Sequence, residues 1–387
     1  MVKNLHICLN MVGGSGWLGG VLYIQNLARA IATLPETEKA NIKLTIAVHD
    51  KDINLIEPAR CYVNQIYATS KWQRAYLKIC NFLAERISFI PLGLLNPQKI
   101  NFLYPAIAGN RAPYQWGGWI PDFQHYHLPH LFSQEEIAQR NRDQQQIAHA
   151  APIIVLSSKM AQEDFKHLYP EAASRSVVMN FVSCPAPEWF ELDPRLTQEN
   201  YQLPDKFFLV SNQFWKHKDH AVVIEALGLL KQQGLTPTVV CTGSATDYRN
   251  PDYYNHLLTR IEELGISEQV RLLGLIPRVD QIQLMRRCLA VIQPSLFEGW
   301  STVVEDARSL GKPMLLSDFP VHLEQNPPNS HFFERSNAEQ LAALIDKSFT
   351  TLTPGPNVEQ ESLAKQDNVE KIKGYGRRFL EIVRSVV

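Results

Sequence analysis

The chain has 387 residues, a net charge of −1 at pH 7 and 20% charged residues. This length predicts two domains, with three as the alternative, and allows a substantial core, while the near-neutral charge argues against nucleic acid or an acidic surface as the main partner. The six cysteines show no Cys-x-x-Cys spacing, which argues against a zinc site or a disulfide framework and is typical of a reducing cytoplasm.

The first part of the chain alternates strand-like and helix-like segments. The glycine run Gly13–Gly20 follows the first strand, and a serine turn follows a later one. Strands are predicted over 5–12, 42–50, 151–156 and 175–182, with helices over 21–34 and 159–170. Short apolar strands separated by helices predict a parallel sheet covered on both faces.

The segment from 71 to 90 mixes basic residues with aromatic ones, among them Lys71, Arg74 and Arg86. Two interpretations stay open. The segment is either an amphipathic helix packing on its own domain or a helix resting on an anionic membrane surface. No apolar run reaches the ~20 residues of a membrane span, and the N-terminus is too short and polar for a signal peptide. We therefore expect a cytoplasmic protein, with peripheral contact to the cytoplasmic face of a membrane as an option.

A second alternating pattern begins after a proline-rich stretch, 183–205, which we interpret as a linker. Its predicted strands are 207–213, 236–244, 269–276, 289–295 and 313–318, and its predicted helices are 219–233, 251–265, 279–288 and 302–310. The pattern predicts an N-terminal Rossmann-like domain, 1–185, and a C-terminal one, 186–370. A last helix, 371–387, is expected to pack back on the N-terminal domain.

Three acids stand close together in "LFEGWSTVVEDARSLGKP": Glu298, Glu305 and Asp306. With Thr302 as the N-cap of the following helix, Glu305 falls at the third helical position and completes a capping box. Asp306 lies on the same face as Thr302, one turn into the helix, with a carboxylate free to accept hydrogen bonds. Glu298 follows a strand's carboxyl end, where ligands bind in open α/β sheets.

The backbone amides between these acids point away from the helix without helical partners, and the helix dipole favours an anion there. They belong to Gly299, Trp300, Ser301 and Thr302. Carboxylates at both edges and amides in the middle suit a nucleotide sugar, which has a phosphate centre and hydroxyl-bearing ends. The alternative is that Glu298 and Asp306 are solvated surface acids.

The stretch "PSLFEGWSTVVEDARSLGKP" resembles the E-x7-E signature of retaining family-4 glycosyltransferases with the GT-B fold. An ungapped alignment puts Glu298 at the first acid and Asp306 at the second, where the family has Glu. The resemblance implies two Rossmann-like domains facing across a cleft, an acceptor-binding N-terminal domain and a C-terminal domain for a UDP- or GDP-linked sugar donor. Glu298 would orient the donor sugar and Asp306 would hold the ribose.

The resemblance extends to further segments and implies roles for more residues. "LVSNQFWKHKDH" resembles the family's diphosphate-binding segment, with Lys218 at the Lys position, Asn212 or Gln213 at the Arg position, and Lys216 sharing the charge. The segments around Gly243, Leu275 and Ile276 resemble those flanking the base. The segments holding Gly19, Gly20, Asp122 and His125 resemble the glycine loop and the sugar end of the cleft, with Asp122 and His125 as candidate catalytic residues.

Other interpretations of the same residues are weaker. Glycines 14, 16 and 19 match a dinucleotide fingerprint, but no acid follows at the expected distance on a strand end. His125, His127 and His130 do not share one face, which argues against a metal cluster. We expect no metal and no cofactor beyond the donor, with Lys218, Lys216 and the helix start stabilising the leaving diphosphate.

The predicted reaction is glycosyl transfer with retention from a nucleotide sugar to a glycan or lipid-linked acceptor hydroxyl, in polysaccharide, lipopolysaccharide or glycolipid synthesis. A nucleotide-sugar epimerase or hydrolase on the same scaffold, or a non-catalytic nucleotide-sugar-binding protein, are the alternatives. The sequence does not identify the sugar, the base, the acceptor, the linkage or the oligomeric state.

Overall fold

The protein is described by a computed structural model over residues 4–14, 17–69, 99–108 and 112–387. The chain divides into two compact units. Unit 1 holds residues 1–127, 134–184 and 369–387, and unit 2 holds residues 128–133 and 185–368. The segment 71–90, which the sequence predicts as a helix either on its own domain or on a membrane surface, lies outside the described residues, as does Gly16. In the described part of the chain, no helix is both long enough and apolar enough to cross a membrane.

Unit 1 contains a seven-stranded sheet in the order β3-β2-β1-β4-β5-β6-β7, and every pairing is parallel. The strands are β1 Leu5–Asn10, β2 Ile42–His49, β3 Gln65–Thr69, β4 Phe102–Tyr104, β5 Gln115–Ile120, β6 Ile153–Leu156 and β7 Ser176–Val178. The described α-helices that accompany them are α1 Leu18–Ala32, α2 Glu36–Lys39, α3 Gln124–His127, α4 Gln134–Ala150 and α5 Lys159–Leu168. Two described 3₁₀ segments, Asp50–Tyr62 and Pro170–Arg175, connect elements of unit 1, and a third, Pro129–Leu131, lies in the short stretch that belongs to unit 2.

Unit 2 contains a six-stranded parallel sheet in the order β10-β9-β8-β11-β12-β13. Its strands are β8 Phe207–Ser211, β9 Thr238–Thr242, β10 Val270–Gly274, β11 Val291–Gln293, β12 Met314–Ser317 and β13 Ser330–Phe333. Its helices are α6 Glu188–Glu191, α7 Pro194–Asn200, α8 His220–Gln232, α9 Tyr253–Glu263, α10 Arg278–Arg287, α11 Thr302–Ser309, α12 Pro320–Gln325, α13 Ala338–Thr351 and the start of α14 Val358–Arg384, with a 3₁₀ turn at Lys216–Lys218. The predicted α/β architecture with two parallel sheets is confirmed.

Two apolar layers cover the faces of the unit 2 sheet. One packs α8 and α13 against side chains such as Phe208 and Ile292. The other packs α10 and α11 against Phe207, Leu209 and Met314. Successive strand residues alternate between the two layers, as a sheet buried on both faces requires.

The predicted linker 183–205 is largely wrong as a structural description. It holds α6 and α7, and Trp189 packs in the core beneath α10. Gln198 accepts a hydrogen bond at 2.6 Å from the buried Arg287. The prolines mislead because Pro194 occupies the first turn of a helix, a position that tolerates the missing N–H.

The C-terminal helix α14 is longer than the predicted 371–387, and its residues divide between the two units at Asn368. In unit 1, Phe379 packs against the rings of Phe102 and Tyr104. Gly376 lies against α1, where a Cβ atom would meet the Ala30 carbonyl oxygen at 2.7 Å. A side chain there would push the two helices apart.

Each sheet has one point where strand order reverses direction along the chain. In unit 1 this point lies between β1 and β4, and in unit 2 it lies between β8 and β11. The loops leaving two neighbouring strands diverge there, so a crevice opens at the carboxyl edge of the sheet. The acids predicted from the sequence follow β11, directly at the reversal in unit 2.

Candidate functional site

Two amide side chains meet across the strand reversal of unit 2. Gln293 ends β11 and Asn212 follows β8. Asn212 Nδ2 donates to Gln293 Oε1 at 2.7 Å, and Gln293 Nε2 approaches Asn212 Oδ1 at 3.3 Å. Gln293 is fully buried. A glutamine at the end of the apolar run "LAVIQ" is the sequence signal that prediction overlooked.

Gln293 also connects to the predicted catalytic acid. Its Nε2 lies 2.7 Å from Glu298 Oε1 and 3.2 Å from the Ser301 hydroxyl at the start of α11. Lys218 Nζ donates to the same Glu298 oxygen at 2.6 Å. Glu298 and Lys218, which are distant in sequence, are therefore brought together by the two strands of the reversal.

Glu298 is kept ionised by its neighbours. Burial would raise the pKa of its carboxyl group, but the Lys218 ammonium opposes burial most strongly and the net pKa lies below the usual value. Glu298 is only 8% exposed. A buried carboxylate that stays charged beside a lysine is suited to hydroxyl groups or to stabilising positive charge.

The helix after Glu298 begins differently from the prediction. Ser301, not Thr302, is the N-cap of α11, and its hydroxyl accepts from the Val304 amide at 3.4 Å. Glu305 therefore lies one position beyond the capping box. Its Oε1 instead accepts from Gln325 Nε2 at 2.9 Å, and the same amide nitrogen donates to the Ser301 carbonyl. The Ser301 amide, predicted to face a phosphate, donates to Gln325 Oε1 at 3.3 Å. Gln325 thus replaces the reciprocal half of the capping box, and the capping-box prediction is wrong.

Of the other residues predicted to present backbone amides, Gly299 and Trp300 form the turn between Glu298 and α11, and Thr302 is the first residue of α11; all three are half-buried. The helix ends as predicted at Gly311, which has a φ of +63°, and the Gly311 amide bonds the Arg308 carbonyl at 3.0 Å. The Lys312 amide then bonds the Ala307 carbonyl at 2.9 Å, which completes a Schellman ending.

Asp306 is buried rather than free. It is 2% exposed, and its Oδ2 accepts from Arg278 Nη2 at 2.5 Å. Arg278 opens α10 and stands with its guanidinium over the Trp189 ring, 5.2 Å from the ring centroid. The sequence did not indicate this pairing because Arg278 is remote from the acidic motif along the chain.

The 3₁₀ turn that carries the predicted phosphate-binding lysines is held by a buried aspartate. Asp247 Oδ2 accepts from the Lys216 amide at 3.1 Å, and Asp247 Oδ1 lies 3.3 Å from Arg249 Nε. The Lys216 side chain is exposed. His217 is buried within the turn, and burial followed by the charge of Lys218 lowers its pKa well below the usual value. It is therefore neutral at pH 7.

The predicted base-contacting residues lie at the same edge of the sheet. Gly243 follows β9 with φ +140°, and a Cβ atom there would meet the Asn212 carbonyl oxygen at 2.1 Å. Only glycine fits this approach. Leu275 and Ile276 follow β10, and Leu275 is 69% exposed, which is unusual for a large apolar side chain.

The predicted residues of unit 1 follow β1 and β5. Gly19 and Gly20 lie in the first turn of α1, where a Cβ atom at Gly20 would meet the Trp17 ring at 2.9 Å. Asp122 accepts from the Gln124 amide at 3.0 Å. His125 is buried, with Nε2 3.0 Å from Asn141 Oδ1, and burial lowers its pKa.

Within the described ranges, no group of three or more His, Cys, Asp or Glu side chains is arranged to hold a metal ion. His127 Nε2 lies 2.8 Å from Asp164 Oδ2. An Asp-x-Asp pair, a pattern that can hold a divalent ion, occurs at Asp50 and Asp52 in the 3₁₀ segment that follows β2 in unit 1, without a third His, Cys, Asp or Glu placed to complete a site among the described residues.

Comparison with known proteins finds similarity to glycosyltransferases. Residues 196–351 match the family model described as "Glycosyl transferases group 1". A D-inositol 3-phosphate glycosyltransferase of Corynebacterium glutamicum is 22% identical over 232 residues, which are 57% of this chain and 55% of that enzyme. The match thus spans about half the length of that relative.

Solved structures extend the likeness to the whole chain. HepE from Anabaena, crystallised with UDP and glucose, has a TM-score of 0.68 at 16% identity, covering 98% of this chain and 100% of HepE. WaaG, described as a glycosyltransferase involved in lipopolysaccharide biosynthesis, has a TM-score of 0.58 at 14% identity, covering 96% of this chain and 95% of WaaG. The predicted GT-B fold is confirmed.

Proposed function

We propose that this chain is a glycosyltransferase that uses a nucleotide diphosphate sugar, and that it transfers the sugar with retention at the anomeric carbon. The observation that carries the proposal is the Lys218–Glu298 pair, with a 2.6 Å contact, at the strand reversal of a domain that matches the group 1 family. The UDP-bound state of HepE supports a nucleotide donor.

In this proposal each side chain has a distinct task. Lys218 and the exposed Lys216, with the amides that begin α11, stabilise the negative charge that develops on the leaving diphosphate. Glu298 orients the hydroxyl groups of the transferred sugar. When the donor arrives, its phosphate competes with Glu298 for the Lys218 ammonium, and this exchange couples donor binding to the position of the acid.

The acceptor is proposed to be a glycan or lipid-linked hydroxyl that binds to unit 1, where Asp122 and His125 follow β5. The described lipopolysaccharide role of WaaG supports this class of acceptor. Contact with a membrane surface through the 71–90 segment and a cytoplasmic location remain part of the proposal.

The first test is to purify the protein and measure its unfolding temperature with a panel of UDP- and GDP-linked sugars. A donor at 100 times its Kd adds about 2.7 kcal/mol of stability. The stabilising donor is then incubated with lipid-linked and free glycan acceptors, and the anomeric configuration of the product is read by NMR. Free sugar without any acceptor product would identify a hydrolase instead, and binding without turnover would identify a binding protein.

Glu298→Gln should lower kcat by at least about 100-fold while changing donor Kd only a few-fold, because the carboxylate acts on the reacting sugar. Glu305→Gln is the matched control. It removes a buried carboxylate from α11 that bonds Gln325 and should leave kcat within about twofold. Wild-type turnover in Glu298→Gln would rule out the proposed role of this acid.

We propose that transfer needs no divalent ion, since lysines and helix amides can take the developing charge. Activity with excess EDTA should equal activity with added magnesium or manganese. Activity that disappears in EDTA and returns with a divalent ion would contradict this, because a metal would then stabilise the leaving diphosphate in place of Lys218 and the α11 amides.

A further inference from the structure

The guanidinium of Arg278 is held in a fixed position at the edge of the unit 2 sheet. Its Nη2 donates to Asp306 at 2.5 Å, its Nη1 donates to Gln281 Oε1 at 2.8 Å, and the Trp189 ring lies beneath it. The described residues offer no hydrogen-bond acceptor to its buried Nε. Even so, the side chain remains 33% exposed.

A chain of hydrogen bonds runs from Arg278 to the ends of β8 and β9, the edge of the sheet where Glu298 also lies. Gln281 Nε2 donates to the hydroxyl of Ser211 at the end of β8, and that hydroxyl lies 3.1 Å from the Thr242 hydroxyl at the end of β9. Ser211 immediately precedes Asn212, the partner of Gln293 at the strand reversal. The exposed loop at Leu275 leads directly into Arg278.

Asp306 is not positioned to meet a ligand first. Its side chain is 3% exposed, about a tenth of the exposure of Arg278, and one of its oxygens is occupied by the guanidinium. A ligand that enters the crevice at the start of α10 and α11 would contact the guanidinium before the carboxylate. Arginine presents a rigid fork of N–H donors, which a carboxylate behind it can hold in place.

We propose that Arg278 is the residue that recognises the ribose of the donor nucleotide, and that Asp306 is a positioning residue which acts through it. This rests on the proposed function. The guanidinium can only donate, so the ribose hydroxyls would accept hydrogen bonds from it. The shorter Asp side chain is then sufficient, because it needs to reach only Arg278 and not the sugar. A lysine would not reproduce the fork.

The test measures the binding of UDP, 2′-deoxy-UDP and 3′-deoxy-UDP by calorimetry, with the guanosine equivalents if the donor panel selects GDP. The proteins are wild type, Arg278→Ala, Arg278→Lys, Asp306→Asn and the double variant Arg278→Ala/Asp306→Asn. Arg260→Ala is the matched control, because it removes an arginine paired with Glu225 at 2.6 Å on the helical surface of unit 2.

Wild type should bind UDP at least tenfold more tightly than one of the deoxy analogues. Arg278→Ala and Arg278→Lys should reduce that ratio to below threefold by weakening UDP alone. Asp306→Asn should weaken UDP binding about fivefold when it is the only substitution, and less than twofold when Arg278→Ala is already present. Arg260→Ala should bind UDP within twofold of wild type.

Three results would overturn the inference. Tighter UDP binding by Arg278→Ala would mean that the arginine only covers Asp306. An unchanged effect of Asp306→Asn in the double variant would mean that Asp306 contacts the ribose itself. An equal loss of affinity for UDP and both deoxy analogues, in Arg278 variants whose thermal unfolding matches that of wild type, would mean that Arg278 contacts the phosphates rather than the ribose. Failure of the proposed function is distinct, since wild type would then transfer sugar from no nucleotide sugar to any acceptor, whatever its affinity for UDP and the deoxy analogues.

Discussion

At the scale of single residues, the buried Gln293 amide connects the two strands of the reversal, although it ends a run of apolar residues. A fully buried amide at the end of β11 approaches Asn212, Glu298 and Ser301 within 3.3 Å. Such an amide is costly to bury unless all its groups are paired, and this one links both sides of the strand reversal to the proposed catalytic acid.

Gln293→Leu should lower the free energy of unfolding by about 1–3 kcal/mol, because the buried Asn212 amide loses its acceptor. Adding Asn212→Leu removes the amide left without an acceptor and should recover part of the lost free energy of unfolding. Activity should stay low in both variants, since Glu298 has lost one of its donors. Urea unfolding and initial rates measure the two effects, and recovery of activity in the double variant would contradict a positioning role for Gln293.

At the scale of one element, α11 shows how a helix start is specified by a neighbour. The motif Thr302-x-x-Glu305 satisfies the sequence pattern of a capping box, yet Ser301 caps the helix and Gln325 of α12 occupies the space beside Glu305. The side chain of Glu305 is only 3% exposed, so it bonds Gln325 within the core rather than bending back to the backbone.

Ser301→Ala should destabilise the protein by about 1 kcal/mol, the usual cost of removing an N-cap, while Thr302→Ala should change stability by less than about 0.5 kcal/mol. The midpoint of urea unfolding, measured for both variants, distinguishes these expectations. A larger loss of stability in Thr302→Ala than in Ser301→Ala would mean that Thr302 is the N-cap.

At the scale of the whole molecule, buried histidines make stability depend on pH. His220 stacks on Phe214, with ring centroids 4.3 Å apart, and neither ring nitrogen has a hydrogen-bond partner among the described residues. Burial, followed by the charge of Lys218, lowers the pKa of His220 to about 3. Burial likewise lowers the pKa of His322 to about 4.

Each of these histidines has a folded-state pKa below its unfolded value of about 6.5. Between the two values the unfolded chain binds more protons, so stability falls as pH decreases. From pH 7.5 to pH 5.5 one such histidine costs about 1.4 kcal/mol. His220→Leu should reduce the measured difference in unfolding free energy between these pH values by that amount. An unchanged difference would mean that His220 is not buried in its neutral form.

The sequence by itself determined the parallel α/β architecture and the position of Glu298. Apolar runs separated by amphipathic helices specify strands buried on both faces, because periodicity is a property of neighbouring residues along the chain. The resemblance of their segments to glycosyltransferase motifs also predicted that Lys218 and Glu298 contact one ligand. The end of α11 at Gly311 was also predicted from the sequence, because a glycine directly after a helical pattern is a local signal.

Only the tertiary structure decided which strand ends are adjacent. The order β10-β9-β8-β11-β12-β13 brings Asn212 to Gln293, and the packing of α10 beside α11 brings Arg278 to Asp306. These contacts join residues far apart in sequence, whose proximity depends on strand order and helix packing. The same reason explains the cap of α11, because Gln325 reaches it from a separate helix.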